Sequence, residues 1–314
     1  MLVYRGFSQT APRPTVLTIG NFDGVHLGHR ALLAQLKATA ESENLLPAVL
    51  TFEPHPREFF APESAPARLS TLREKLELIA DEGMALTWVC HFNARFAAFS
   101  PEEFIERILV GSLCVKHLII GDDFRFGAGR RGNFALLREA GERYGFQLEA
   151  IDSVTLEGER ASSSAVRDAL AEGRIEHAAR LLGRPYSIDG RVVHGDKMGR
   201  QLGFATANIR IKHDKPPLLG VFAVEVHGLN GGPHRGVANL GIRPSANRTV
   251  RPILEVHLFD FSAEIYGTHL NVRFLHKLRN EMKFPGLDAL KAQIACDVSE
   301  ARSYFQRKDA KGQG

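Results

Sequence analysis

The chain changes rhythm once, and that change limits its fold more than any other feature. Between residues 15 and 152, apolar runs that read as strands (TVLTIG, PAVLTFE, ALTWVCHF, VKHLIIG and FQLEAI) alternate with helical segments. The helices have legible starts. Thr71 and Glu74 form a capping box before REKLELIADEG, which stops at Gly83, and Ser100, Pro101 and Glu103 supply an N-cap, an N1 proline and a capping-box acid before EFIERIL. Such alternation predicts an α/β domain with a parallel sheet covered on both faces. Two short helices follow, SSAVRDALAEG and IEHAARLLG, ending at Gly183. Then the helices cease. The runs YSIDGRVV, ATANIRI, VFAVEVHG, HRGVANLG, ILEVHLFDF and LNVRFLHKLR are parted only by turn residues, which predicts a small antiparallel β-barrel. An amphipathic helix, LDALKAQIACDVSEARSYF, comes last. The boundary is expected at 184/185, giving domains 1–184 and 185–314, and a chain of 314 residues suits two domains of ordinary size.

Composition narrows the partners. Lys and Arg exceed Asp and Glu by 40 − 36 = +4, a mild balance that fits a phosphate-bearing small molecule and permits nucleic acid without demanding it. The barrel strands are mostly aliphatic and carry Glu255 and Asp260, where a reader of single-stranded RNA would interleave aromatics with basic residues; no nucleic-acid partner is expected. Cys90, Cys114 and Cys296 are widely spaced, and neither a signal-peptide core nor an apolar run of spanning length occurs. A reduced, cytoplasmic protein without a membrane segment is the expectation; the oligomeric state stays open.

The chemistry gathers in a few stretches. TIGNFDGVHLGHR (Thr18–Arg30) runs from a strand through a tight polar turn into a helix, where free N–H groups and the helix dipole favour an anion. His26 and His29, spaced i, i+3, would project to one side of a first helical turn and hydrogen-bond a phosphate whose charge rises in a transition state. The alternative is a pair of surface histidines at a cap; the preceding GNFDG turn favours the first, and HxGH after a strand of an α/β domain points to nucleotidyl transfer. Ser162, Ser163 and Ser164, with Arg167 one turn on, form a second phosphate cradle or simply an N-cap. GDDFRFGAGRRGN (Gly121–Asn133) ends a strand with carboxylates, aromatics for stacking on a flat ring, and arginines; it could also be a solvated turn. TFEPHP (Thr51–Pro56) ends another strand and reads equally well as a rigid loop.

In the second half, GDKMGRQLGFATAN (Gly195–Asn208) is a basic loop whose glycines, Gly195 and Gly199 about Lys197, let backbone approach a phosphate. Thr206 and Asn208 face one way on a strand, and a hydroxyl with an amide oxygen suits Mg²⁺, which completes its shell with phosphate and water. In ILEVHLFDF, Ile253, Glu255 and His257 share one face and Leu254, Val256 and Leu258 the other. Glu255 is therefore either solvent-facing or a base beside a substrate hydroxyl.

Together the stretches TIGNFDGVHLGHR, TFEPHP, GDDFRFG, SSSAVR, ARLLGRPY, GRVVHGDKMGRQLGF, TAN, GVFAV, GVANLGIRP, LEVHLFDF and EIYG resemble the bacterial bifunctional riboflavin kinase/FMN adenylyltransferase family, over roughly residues 15 to 306. The resemblance implies a Rossmann-like nucleotidyltransferase domain followed by a barrel kinase. ATP would phosphorylate riboflavin to FMN in the barrel, and a second ATP would adenylylate FMN to FAD in the first domain, with pyrophosphate released. It implies His26 and His29 at the adenylyl-transfer site, Asn21 with its neighbour Phe22 and Asp123 at nucleotide and flavin positions, and Ser162, Ser163, Ser164 and Arg167 around pyrophosphate. It implies Gly195, Lys197, Gly199 and Asn208 at the kinase nucleotide, Thr206 and Asn208 at Mg²⁺, and Glu255 as base. Two positions depart from the family pattern: Ala205 stands where proline usually precedes Thr-Ala-Asn, and Ser164 where threonine is usual.

Overall fold

The computed structural model describes residues 1–121, 123–194, 204–212, 215–244 and 250–312. They form two compact units, one of residues 1–66 with 72–162 and the other of 67–71 with 163–314.

The first unit holds a six-stranded parallel sheet: β1 (Leu2–Arg5), β2 (Thr15–Ile19), β3 (Leu46–Glu53), β4 (Leu86–His91), β5 (Val115–Gly121) and β6 (Gln147–Ile151), in the order β1-β4-β3-β2-β5-β6. Five of these strands are the five runs expected from the sequence; β1 is additional, an exposed edge strand paired in parallel with β4. Alternate residues feed two apolar clusters. Leu17, Ile19, Leu118 and Ile120 join the one that holds Trp88 and Ile108, while Val16, Val49 and Ile119 join the one that holds Leu33 and Leu36. Burial on both faces explains why these strands read as unbroken apolar runs. The connecting helices are α1 (Leu27–Glu43), α2 (Pro56–Phe60), α3 (Leu72–Asp81), α4 (Ala94–Ala97), α5 (Pro101–Glu103), which continues as a π-helical stretch over Phe104–Ser112, and α6 (Phe134–Tyr144). At α5 the Ser100 hydroxyl accepts the Glu103 N–H and the Glu103 carboxylate accepts the Ser100 N–H, the capping box expected there. A short hairpin, β7 (Thr155–Leu156) and β8 (Glu159–Arg160), completes the unit.

The strand order reverses between β2 and β5, since β3 and β4 follow on one side of β2 and β5 on the other. Loops leaving the carboxyl ends of two such strands run apart and open a crevice there.

In the second unit, α7 (Ser163–Ala171) and α8 (Ile175–Leu182) precede a closed barrel of β9 (Tyr186–Val193), β10 (Ala207–Arg210), β11 (Gly220–His227), β12 (His234–Pro244), β13 (Val250–Leu258) and β14 (His269–Arg279). These are the six runs expected. Phe222, Val224, Leu240, Leu254, Val256, Val272 and Phe274 are buried in the barrel. The last helix, α9 (Leu287–Gly312), packs on its outer wall through Ala301 and Phe305 against Val221, Ala223 and Val237.

Candidate functional site

In the first unit, β2 ends at Ile19, and Gly20 N–H reaches across to the Leu50 carbonyl at 3.1 Å. The turn that follows is tightly wound: Phe22, Gly24 and Val25 have φ of 49°, 81° and 40°. For a β-branched residue such as Val25 that region costs energy, and strain of this kind persists where surrounding packing enforces it. Here the enforcement is burial, with Phe22 and Val25 essentially inaccessible. The turn delivers His26 to the N-cap of α1, one position earlier than a first-turn residue. Its Nδ1 accepts the backbone N–H of His29 at 3.4 Å. A nitrogen that accepts carries no proton, so the His26 ring proton sits on Nε2. The two rings stack with centroids 3.7 Å apart, and Phe22 backs His29 at 4.7 Å. Gly28 sits in close quarters: a Cβ there would lie 3.2 Å from the Ala161 carbonyl and from the His26 ring, tighter than an ordinary contact.

Burial, reinforced by His26 and the Lys75 ammonium, holds His29 well below the ordinary histidine pKa, so it is neutral. Its Nδ1 is buried without a partner, as is Oδ1 of Asn21. Lys75 on α3 is itself buried and donates to the Thr51 hydroxyl at 3.5 Å, which donates on to the Asn21 carbonyl at 3.2 Å. Thr51 opens the TFEPHP stretch noted from sequence, whereas Lys75 was missed, although Lys75 and Ile79 lie i, i+4 on the inward face of α3.

Beside this turn, at the carboxyl ends of β2 to β5, is a cavity of about 690 Å³. Its wall includes Asn21 and Asp123 and is otherwise strongly aromatic: Phe52, Phe60, Phe92, Phe96, Phe99, Phe104, Phe124 and Phe126. Arg125 and Arg130 stand at the same cavity, and Asp123 pairs with Arg160 at 3.8 Å. His55 does not join them; its Nδ1 accepts the Arg57 N–H and caps α2. Ser163 and Ser164 open α7, and Arg167 one turn on donates from Nε to the Ala67 carbonyl at 2.6 Å. Ser162 directly follows Ala161, whose carbonyl lies against Gly28.

In the second unit, strand pairing does the gathering. Asn208 pairs with Glu255, Glu255 with Asn239, Asn239 with Val221, and Val221 with Arg279. Directly paired residues share a face, so one row across the barrel wall carries Asn208, Glu255, Asn239 and Arg279. The row faces outward, since Leu254 and Val256 on either side of Glu255 are buried in the barrel. Arg279 is fixed by two bonds to Asp297 of α9, at 2.8 and 2.7 Å. A cavity of about 310 Å³ lies between this wall and α9, with Thr206, Asn239, Glu255 and Arg279 on its polar side and Phe284, Leu290 and Ile294 on its apolar side. Thr206 also borders a second cavity of about 120 Å³, with Asn208 and Tyr266. The two oxygens of Thr206 and Asn208 suit a cation that takes its other ligands from phosphate and water; among the described residues no cluster of three His, Cys, Asp or Glu could cage one. His257 Nδ1 bonds the Ala205 carbonyl at 2.9 Å and so fixes the backbone ahead of Thr206. Gly195, Lys197 and Gly199 lie outside the described residues.

Comparison with known proteins agrees with this division. A family model described as FAD synthetase matches residues 8–165, and one described as riboflavin kinase matches 182–305. The bifunctional riboflavin kinase/FMN adenylyltransferase of Escherichia coli K12 is 50% identical over 298 residues, 95% of each chain. The Haemophilus influenzae protein of that name is also 50% identical, over 92% of this chain and 94% of its own, and that of Pseudomonas fluorescens 47%, over 96% and 97%. A solved structure titled as a macrolide-efflux protein from Streptococcus pneumoniae superposes with a TM-score of 0.84 at 26% identity, covering 96% of this chain and 99% of that one. Among the described residues no helix is long and apolar enough to cross a membrane.

Proposed function

The chain belongs to the bifunctional riboflavin kinase/FMN adenylyltransferase family, and we propose on that footing how its own residues divide the two reactions of flavin-cofactor synthesis. ATP phosphorylates riboflavin to FMN in the barrel domain, 185–314, and a second ATP adenylylates FMN to FAD in the α/β domain, 1–184. The observation that carries the assignment is the same in both halves: polar groups suited to phosphate adjoin a cavity with apolar side chains in its wall.

In the α/β domain an oxygen of the FMN phosphate attacks the α-phosphorus of ATP, and the bond to pyrophosphate breaks. Negative charge grows on the α-phosphate oxygens. His26 Nε2–H donates to them from a position held by the helix cap, and neutral His29 presses the His26 ring into place. Asn21 and Asp123 take polar edges of flavin or nucleotide, the phenylalanines enclose the isoalloxazine, and the α7 start with Ser162, Ser163, Ser164 and Arg167 receives pyrophosphate.

In the barrel, Glu255 accepts the proton of the riboflavin 5′-hydroxyl as its oxygen bonds the γ-phosphorus and ADP leaves. Thr206 and Asn208 would hold Mg²⁺, which when bound neutralises charge between the phosphates. Gly195, Lys197 and Gly199 serve the nucleotide. The partners are small molecules, without nucleic acid, and the free Cys90, Cys114 and Cys296 favour the reducing cytoplasm.

Incubating the full chain with riboflavin, ATP and Mg²⁺ and resolving the flavins tests the scheme. FAD is expected. FMN alone would remove the adenylyl-transfer assignment; unchanged riboflavin would remove the kinase assignment, and the same preparation given FMN and ATP then tests the other.

A further inference from the structure

Of the two polar residues in the barrel-wall row that the scheme above leaves unused, Arg279 is held by Asp297 and Asn239 is not. Asn239 is the cross-strand neighbour of Glu255 on β12 and faces the same 310 Å³ cavity. Its flanking residues, Ala238 and Leu240, are fully buried in the barrel, which fixes the Asn239 side chain on the outer face. Its Oδ1 is buried and accepts no hydrogen bond. An unsatisfied buried acceptor is costly, and native structures keep one mainly where a ligand or bound water completes it. Two acceptors therefore stand side by side, a carboxylate and an amide oxygen, with side-chain origins about 5 Å apart as for any directly paired strand residues. A single hydroxyl cannot serve both. Two vicinal hydroxyls can, and the ribityl chain of riboflavin is a polyol that ends in such a pair.

We propose that Asn239 is a substrate-contacting residue of the kinase site, whose Oδ1 accepts a hydrogen bond from the ribityl 4′-hydroxyl while Glu255 engages the 5′-hydroxyl. This rests on the assignment of Glu255 to the phosphorylated hydroxyl. The contact fixes the end of an otherwise freely rotating chain, so that the 5′-oxygen meets the base in one orientation. It also makes the site a reader of the polyol: a flavin with an unbranched alkyl alcohol in place of ribityl offers no donor to Asn239.

The test pairs a substitution with a substrate change. Riboflavin and 4′-deoxyriboflavin are phosphorylated by wild type and by Asn239→Leu, which removes the amide at nearly constant volume, and by Asn239→Ser, which keeps an oxygen acceptor in less space. For riboflavin, Asn239→Leu should lower kcat/KM about tenfold, the loss of one buried hydrogen bond with its partner left unpaired. For 4′-deoxyriboflavin the same substitution should change kcat/KM less than about twofold, because the contact is already gone. Asn239→Ser should fall between wild type and Asn239→Leu on riboflavin alone. Equal losses on both flavins would overturn the proposal and leave Asn239 as a support for the strand. No loss on either would overturn it too. Glu255→Gln, assayed beside them, separates this result from the premise: if it phosphorylates riboflavin normally the base assignment fails, whatever the Asn239 comparison gives.

Discussion

One His26 ring caps α1 and is proposed to donate to the α-phosphate, and two substitutions can separate the two tasks. Its Nδ1 caps α1 by accepting the His29 N–H, and the 3.4 Å length of that bond places it at the weak end of helix caps, about 0.5 kcal/mol. Its Nε2–H is the donor assigned to the α-phosphate, a role worth about 10²–10³ in rate when one transition-state donor is removed. His26→Asn restores a strong N-cap through the amide oxygen yet cannot reach where Nε2 lay. His26→Ala loses both. The expected outcome is a matched fall of about 10²–10³ in FAD formation from FMN and ATP in both variants. Only His26→Ala should also lose about 0.5–1 kcal/mol in denaturant unfolding of the first unit. Phosphorylation of riboflavin, followed in the same preparations, should be unchanged. If His26→Asn made FAD at more than about a tenth of the wild-type rate, the ring donor would not be what stabilises the transition state. The pairing of the two histidines would then be a cap and nothing more.

Glu255→Gln should slow riboflavin phosphorylation by at least about tenfold, since a general base is typically worth about 10²–10⁴, and still convert supplied FMN to FAD; equal losses in both assays would mean a damaged fold. Ala205→Pro should keep both activities and raise barrel stability by about 0.4–1 kcal/mol, because the Ala205 carbonyl that His257 holds survives the change; a lost kinase would mean that this backbone does not follow the proline-bearing path. Stability of the first unit should decline as pH falls below 6.5, the ordinary histidine value from which His29 is depressed. The unfolded chain then binds a proton that folded His29 refuses, so stability rises with pH across that window. His29→Gln should flatten that part of the curve, and an unchanged slope would place the dependence on other groups.

The elements were legible because each domain follows a single period. Unbroken apolar runs between capped helices declared a sheet buried on both faces, and closely spaced runs after residue 184 declared the barrel. β1 was not legible: four mostly exposed residues at an edge carry no alternation to read. HLGH was read correctly as a strand-to-helix junction, but the place of His26 at the cap depends on the left-handed turns at Phe22 and Val25. No propensity favours those conformations, and tertiary packing imposes them. Lys75 and Asn239 escaped for a different reason. A lysine on a helix and an asparagine among small residues on a strand look like solvated positions until the fold buries them. Glu255 lay between two readings, and the cross-strand neighbours that line the cavity with it are absent from any local window.

The row of Asn208, Glu255, Asn239 and Arg279 has a consequence for how this enzyme can tolerate change. The four residues are far apart in sequence and meet only through strand pairing. A slip of one residue in any of these strands would turn its side chains to the opposite face, exchanging Glu255 for a leucine or valine of the barrel interior. The same slip would drive a charged or amide group into the core. Length changes should therefore accumulate in the connections, while a single inserted residue inside β10, β12 or β13 breaks the row and the core in one event. The barrel thus guards the row against insertion and deletion by making alignment errors unfoldable.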